Sequence, residues 1–461
     1  MSFTRRSFLL GAGSGLSLLV LSACVDENTL PSPTPTVSRT PLEVAQPTGF
    51  ARSAWSTDPY SLGSHSYMAV GSTPEHRDAL RQPVLDRVFF AGEATSKDAA
   101  GTVAGALESG ARAANDLSVV GTRGERVAVI GAGVAGAEAA RLLKHNGYDV
   151  VVVEARDRVG GRVQTTTSKD WPMPVELGAW RVATGDDVLK KLNELGITTA
   201  SLKKETFVSP TSAAASYPAG AAAIKTGVAW AGEQTQDTSL RTALDGSGAT
   251  GTAKGSAPKG FDGAAMLQQY LGSLSTVYGA DASQLSSWYG LDQAAPSQVV
   301  TGGYNGLVTD ALDGIKTSLS TVVAEIAYSD TAVSLRLGTG ESLRVDRVVI
   351  TLPLGVLKKG SVRFSPLLPL THRGAIAALG TGAVDSVWLR FDRKFWKTDA
   401  AIWNLVGTDD TITTWINLEP LTSEPVLVGI VGGDAAHSLA KLSDKQVRAN
   451  AMRALTPFLD A

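Results

Sequence analysis

Residues 126–154 read RVAVIGAGVAGAEAARLLKHNGYDVVVVE, and their types and spacing suit the capture of a dinucleotide. Gly131, Gly133 and Gly136 form the pattern G-x-G-x-x-G. The first glycine permits a tight turn, the second lets a pyrophosphate approach the backbone, and the third lets the following helix close on its strand. A helix that opens here turns N–H donors and partial positive charge towards phosphates. Glu154 stands at the end of the second apolar run, about 18 residues after Gly136. An acid at that place binds a ribose diol and repels a 2′-phosphate, which disfavours NADP.

The elements that must hold these groups are also legible. Arg126 to Ile130 is a short apolar strand, a helical pattern runs through Leu142 and Leu143, Gly147 stops it, and residues 149–154 form a second buried strand. This is a βαβ unit. Around it lie 461 residues, enough for two or three domains, with net charge −2 and no segment that concentrates Lys and Arg. Nothing recommends a nucleic-acid partner. The five histidines are scattered without metal-ligand spacing, and the single cysteine, Cys24, allows no intrachain disulfide. A Gly/Ala/Thr/Ser-rich stretch at 242–260 reads as a flexible surface loop.

The first 24 residues read as an address. Arg5-Arg6 precedes an apolar run from Leu9 to Ala23, too short and interrupted for a comfortable membrane span. The pair resembles a Tat export signal, and Leu21-Ser22-Ala23-Cys24 resembles a bacterial lipobox. The protein is expected on the outer face of the cytoplasmic membrane, held by lipid at Cys24, or free outside that membrane if the signal is cleaved without lipid. Residues 25–50 carry PSPTPT and read as a flexible tether.

Further stretches accompany the dinucleotide motif: RDRVGGR (156–162), VELGAW (175–180), GGYNGLVTDAL (302–312), RVVITLPLGVLKKG (347–360), WLRFDRKFW (388–396), WSTDPYSLGSHSY (55–67) and FFAGEATS…GTVAGALESGARAA (89–114). Together they are similar to the flavin-containing amine oxidase family, whose members include monoamine, polyamine and L-amino-acid oxidases and the flavin histone demethylases. The resemblance spans most of the chain from about residue 51 onward and is poor between about 190 and 300. It implies an α/β fold with a Rossmann-type FAD-binding domain, like that of glutathione reductase, interleaved with an α+β substrate domain. It further implies the order 51–117 and 126–185 for the FAD domain, 186–300 for the substrate domain, 301–360 for the FAD domain and 361–461 for the substrate domain.

In that family the stretches found here at 55–114 close the sequence, whereas here they precede the dinucleotide motif. The order reads as a circular permutation, with a polar join over roughly 115–125 and residue 461 lying near residues 45–55. Such a rearrangement is tolerated where the termini are close and the cut loop is exposed.

The resemblance implies FAD as cofactor, with Arg156, Gly161, Arg162, Gly178, Ala179, Val323, Trp396, Gly92, Glu93, Thr102 and Val103 contacting it alongside Gly131, Gly133, Gly136 and Glu154. The helix beginning at Thr102, expected to run to about Ala114, would aim its N-terminus at the flavin pyrimidine ring and favour its reduced form. The implied chemistry is oxidation of an amine C–N bond to an imine, with oxygen or another electron acceptor consumed and peroxide formed from oxygen. Tyr67 is assigned to an aromatic wall before the flavin, with Thr102 opposite. Ser386 stands where the family usually carries a lysine that assists the reaction with oxygen, so slow oxygen use is expected. The stretch at 175–181 admits two registers. Trp180 matches an amine-oxidase tryptophan in one; in the other Arg181 matches an arginine that clamps the carboxylate of an amino-acid substrate. A structural ion pair for Arg181 is the third reading. The substrate is accordingly a small amine or an amino acid.

Overall fold

The computed structural model describes residues 44–183, 187–291 and 296–459. The export and lipobox segment and most of the expected tether lie outside the described residues. Two sheets organise the fold. The first has five parallel strands in the order Lys316–Ser318, Asp149–Val153, Arg126–Ile130, Arg347–Ile350, Val88–Phe90. Its central strands are near-continuous runs of buried Val and Ile, as expected of strands covered on both faces. The second sheet has seven strands in the order Gly49–Arg52, Val384–Arg390, Val426–Gly432, Thr414–Asn417, Ile402–Leu405, Glu205–Val208, Ala213–Ala214. Trp388, Trp403 and Trp415 are fully buried in and against it.

The stretch that precedes the dinucleotide motif supplies an edge strand to each sheet. Val88–Phe90 pairs in parallel with Arg347–Ile350, and Gly49–Arg52 pairs antiparallel with Val384–Arg390. Val88, Phe89 and Phe90 are all buried; each contributes about 1.5–3 kcal/mol by leaving water. Val44 and Ala45 pack against the cluster that also contains Leu455 and Phe458, and Arg52 donates to the carbonyls of Leu439 and Leu442. The two ends of the described chain therefore share one core.

Helix Val103–Val120 packs on helix Val134–His145 through small residues: a Cβ on Gly110 would lie 2.2 Å from the Ala135 carbonyl. This helix is longer than expected and takes in half of the presumed join at 115–125. Leu117 is completely buried, which extends the apolar face past Ala114, and only residues 121–125 turn back to the next strand. The presumed loop at 242–260 is also corrected. It holds helices Leu240–Gly246 and Ala249–Gly255, the first capped by Ser239, which accepts from the Thr242 N–H. Leu240, Leu244, Ala249 and Ala253 bury against helices Pro218–Gly232 and Gly263–Tyr278, so their apolar spacing outweighs the Gly/Ser/Thr composition. No helix among the described residues is long and apolar enough to cross a membrane, and no group of His, Cys, Asp or Glu there could hold a metal ion.

Candidate active site

A cavity of about 750 Å³ runs from the ends of the parallel strands to the seven-stranded sheet. At one end lie Gly131, Gly133, Glu154 and Arg156. Gly131 has φ +108°, which favours glycine, and Gly133 caps helix Val134–His145. A Cβ on Gly133 would meet nothing nearer than 3.8 Å, so the ground beside it is open to a ligand. Gly136 does not line the cavity. It does what its spacing predicts: its Cβ would lie 1.9 Å from the Gly131 carbonyl, so only glycine lets the helix sit so close.

The charges at this end are mostly paired. Glu154 accepts the N–H groups of Ala132 at 2.7 Å and Arg156 at 2.8 Å, which fixes its carboxylate at the cavity wall. The Arg156 guanidinium donates to Asp58 at 2.5 Å and Ser61 at 2.9 Å and lies over the Tyr60 ring. The WSTDPY stretch therefore braces the nucleotide end, a partnership no spacing rule announces because about 98 residues separate the pair.

Glu93 anchors the middle. It accepts from the Ser66 N–H and hydroxyl, from the Gly101 N–H and from Arg162 at 2.9 Å. Burial pushes its carboxyl up, but Arg162, the Ser66 hydroxyl, His65 and Arg77 together bring it down to about 2. Arg77 contributes by donating to Ser66 Oγ and the Ala94 carbonyl. Thr102 caps helix Val103–Val120, accepting the Gly105 N–H at 3.0 Å, and the exposed start of that helix lines the cavity with Val103 and Ala104. Gly92, Gly161, Arg162, Gly178, Ala179 and Val323 also line it. At Gly92, φ is +119° and a Cβ would meet nothing within 4 Å, again leaving room for a ligand against the backbone.

The far end is lined by His65, Trp180, Arg181, Thr276, Val277 and Val384. Arg181 donates to the Thr276 carbonyl and has no ion pair with an acid among the described residues; burial lowers its pKa to about 10. Away from the cavity wall, Glu176 is completely buried, accepting the Tyr304 N–H and the Thr165 hydroxyl; burial raises its carboxyl to about 7 against those two bonds.

Besides Gly136, three further residues expected at the ligand do not line the cavity. Tyr67 is turned away from the cavity: its ring covers Gly380, whose Cβ would lie 2.3 Å from it, and packs against the core cluster that holds Leu267, Leu271 and Tyr278. His65, two residues earlier, takes the cavity position instead. Trp396 lies in an aromatic cluster with Phe391, Phe395 and Trp403, away from the cavity. Ser386 is buried within its sheet, its N–H donating to Ser53 and its Oγ accepting from Trp388 Nε1 at 3.2 Å; too short to emerge, it leaves Val384 as the strand's contribution.

Comparison with known proteins agrees with this architecture. The profile of the flavin containing amine oxidoreductase family matches residues 37–118, 134–217 and 259–460, and the chain belongs to that family. Polyamine oxidase 4 of Oryza sativa subsp. japonica is 31% identical over 351 residues, covering 69% of this chain and 70% of that protein. Lysine-specific histone demethylase 2 of Homo sapiens is 26% identical, covering 71% of this chain and 43% of that protein. In fold, the chain is similar to cyclohexylamine oxidase from Brevibacterium oxydans IH-35A, with TM-score 0.57 and 19% identity over 73% of this chain and 82% of that one. It is likewise similar to putrescine oxidase bound to putrescine, with TM-score 0.56 and 17% identity over 74% and 82% of the two chains. The protein is thus an FAD-dependent oxidoreductase acting on CH–NH or CH–NH2 donors. The open glycines, the ribose-facing acid and the two helix N-termini fit FAD along the cavity.

Proposed function

We propose that the protein oxidises a small primary or secondary amine to the imine, which water hydrolyses to the aldehyde, with oxygen reduced to hydrogen peroxide. The observation that carries this reading is the continuity of one cavity from the dinucleotide cradle to a chamber walled by Trp180, Val277 and Val384. FAD bound there supplies the two-electron acceptor. The chain orients the amine and excludes water with the apolar walls, and the start of helix Val103–Val120 stabilises negative charge beside it. An anaerobic visible spectrum tests the reading: an added amine should bleach the oxidised-flavin band. A flavin band that neither amines nor amino acids bleach would leave a flavin-binding protein without turnover.

Arg181 favours a second reading, an L-amino acid or another carboxylate-bearing amine. A guanidinium that lines the cavity without an acidic partner among the described residues offers paired donors to a carboxylate. Bleaching by L-amino acids but not by the matching decarboxylated amines would select it. Ser386 brings no cation to the cavity, so reoxidation by air should be slow and faster in Ser386→Lys; equal rates would refute this.

We also propose that the chain order is a circular permutation of the family's order. The shared packing of Val44 and Ala45 with Leu455 and Phe458 supports it. A chain running 126–459 and then 44–121, joined by a short linker, should fold and bind FAD; failure to do so would count against it. Residues 1–24 are proposed to direct export, with Cys24 as lipid anchor. Cys24→Ser should move the protein out of the membrane fraction, and an unchanged distribution would refute the anchor.

A further inference from the structure

His65 lines the cavity wall without belonging to the dinucleotide cradle. Strand His65–Tyr67 pairs with Gly380–Gly382, and this pairing sets His65 opposite Gly382 at the chamber end of the cavity. The ring is closely held: a Cβ on Gly279 would come within 3.0 Å of its Cε1. Its Nδ1 lies 3.2 Å from the Ser66 carbonyl. A carbonyl can only accept, so that contact places the proton on Nδ1 and the lone pair on Nε2. Nε2 makes no hydrogen bond among the described residues and is not among the sealed buried atoms.

Three charged groups act on the ring. Burial lowers the imidazole pKa most; Glu93, on the turn after Val88–Phe90, opposes this, while Arg162 and Arg181 add to it. At neutral pH the ring is therefore uncharged, and its one available atom is an acceptor in a chamber where Arg181 can only donate and the Thr276 hydroxyl is engaged with the Ser273 carbonyl. A substrate amine carries N–H donors and needs a partner that accepts; Arg181 would repel its ammonium form.

We propose that His65 is the residue that holds the substrate nitrogen, Nε2 of the neutral imidazole accepting a hydrogen bond from the amine N–H. This rests on the amine-oxidising reading of the same cavity. It assigns Arg181 to the opposite, anionic or polar, part of the substrate. Acidification that protonates His65 removes the acceptor and adds a repelling charge, so amine binding should have an acid limb belonging to this residue.

The test uses the FAD-loaded protein and tert-butylamine, a primary amine whose α-carbon bears no hydrogen and so cannot be oxidised. Binding is read from the shift of the flavin absorption band between pH 5 and 10 and is referred at each pH to the concentration of unprotonated amine, so that the amine's own titration does not enter the acid limb; tert-butanol is the control. The wild type should bind the amine, more weakly as pH falls. His65→Phe should weaken binding about tenfold, the worth of one lost hydrogen bond to a buried partner. His65→Gln, which keeps an acceptor, should bind nearly as the wild type does but lose the acid limb. Imidazole 15N chemical shifts, assigned by comparison with His65→Gln, should report the Nδ1–H tautomer titrating below pH 6.5. Equal binding by the Phe and Gln variants, an acid limb that survives in His65→Gln, no amine binding by the wild type, or an imidazole that is charged at pH 7 would each overturn the assignment. Amine binding without bleaching by any oxidisable amine would sink the catalytic reading while leaving His65 as the amine's partner.

Discussion

The two ends of the cavity are built in opposite ways. The nucleotide end comes largely from one contiguous stretch, and its charges are satisfied: Glu154 by two backbone N–H groups, Arg156 by Asp58, Arg162 by Glu93. The chamber end takes His65, Trp180, Arg181, Thr276 and Val384 from four separated stretches. There Arg181 has no acid beside it among the described residues and His65 leaves Nε2 open. Paired groups hold a shape ready for a cofactor that is always the same. Groups only partly satisfied by the described residues await a further partner from the substrate, and the remaining desolvation cost is recovered only when it binds.

Breaking the nucleotide end should have the largest effects. Gly136→Val places a side chain against the Gly131 carbonyl and should cost about 3 kcal/mol through overpacking. The expected readout is protein purified without flavin and with a lowered Tm. Glu93→Gln leaves Arg162 without its charge partner and should cost roughly 3 kcal/mol, read by chemical denaturation. The same carboxylate predicts a pH dependence. Its folded pKa, about 2, lies below its ordinary 4.5, so its stabilisation is complete above pH 4.5 and is lost as pH falls towards 2. Glu93→Gln should flatten that limb.

The chamber end should respond differently. Arg181→Leu should leave flavin content unchanged yet weaken any carboxylate-bearing ligand roughly 10–100-fold, as for a lost charge-assisted bond. An equal effect on simple amines would show that Arg181 is structural. Away from both ends of the cavity, buried Glu176 gives an effect of the opposite sign to Glu93. Its folded pKa, about 7, exceeds 4.5, so the stability it confers is complete below pH 4.5 and is lost as pH rises to about 7. Glu176→Gln should remove that decline in Tm. The mildest change is Thr102→Ala, which removes a helix cap bonded to Gly105 and should cost about 1 kcal/mol without changing substrate preference.

The contrast also explains what could be read in advance. The βαβ unit, its glycines and Glu154 were legible because a local turn, a 3.6-residue period and a two-residue period place them within one short stretch. Likewise Thr102 announced a helix start. The helices at 240–255 were hidden because glycine and serine mask an apolar spacing that shows only once its neighbours cover it. Sequence spacing selected the strand holding His65 and Tyr67 but not which ring meets the cavity. Close packing of Tyr67 over Gly380 decided that. Ser386 shows the same limit: its position along the chain was clear, but its bond from Trp388 and its burial away from the cavity belong to the assembled sheet.

By itself, then, the sequence determined the dinucleotide cradle, which resides in short-range patterns of backbone freedom and charge, and its motifs carried the family resemblance from which the chemistry was expected. Tertiary structure alone decided that an uncharged imidazole and a guanidinium with no acid beside it among the described residues share the chamber. Their proximity depends on pairing across the two sheets and the helices between them, and burial there sets both their protonation and their unmet hydrogen bonds.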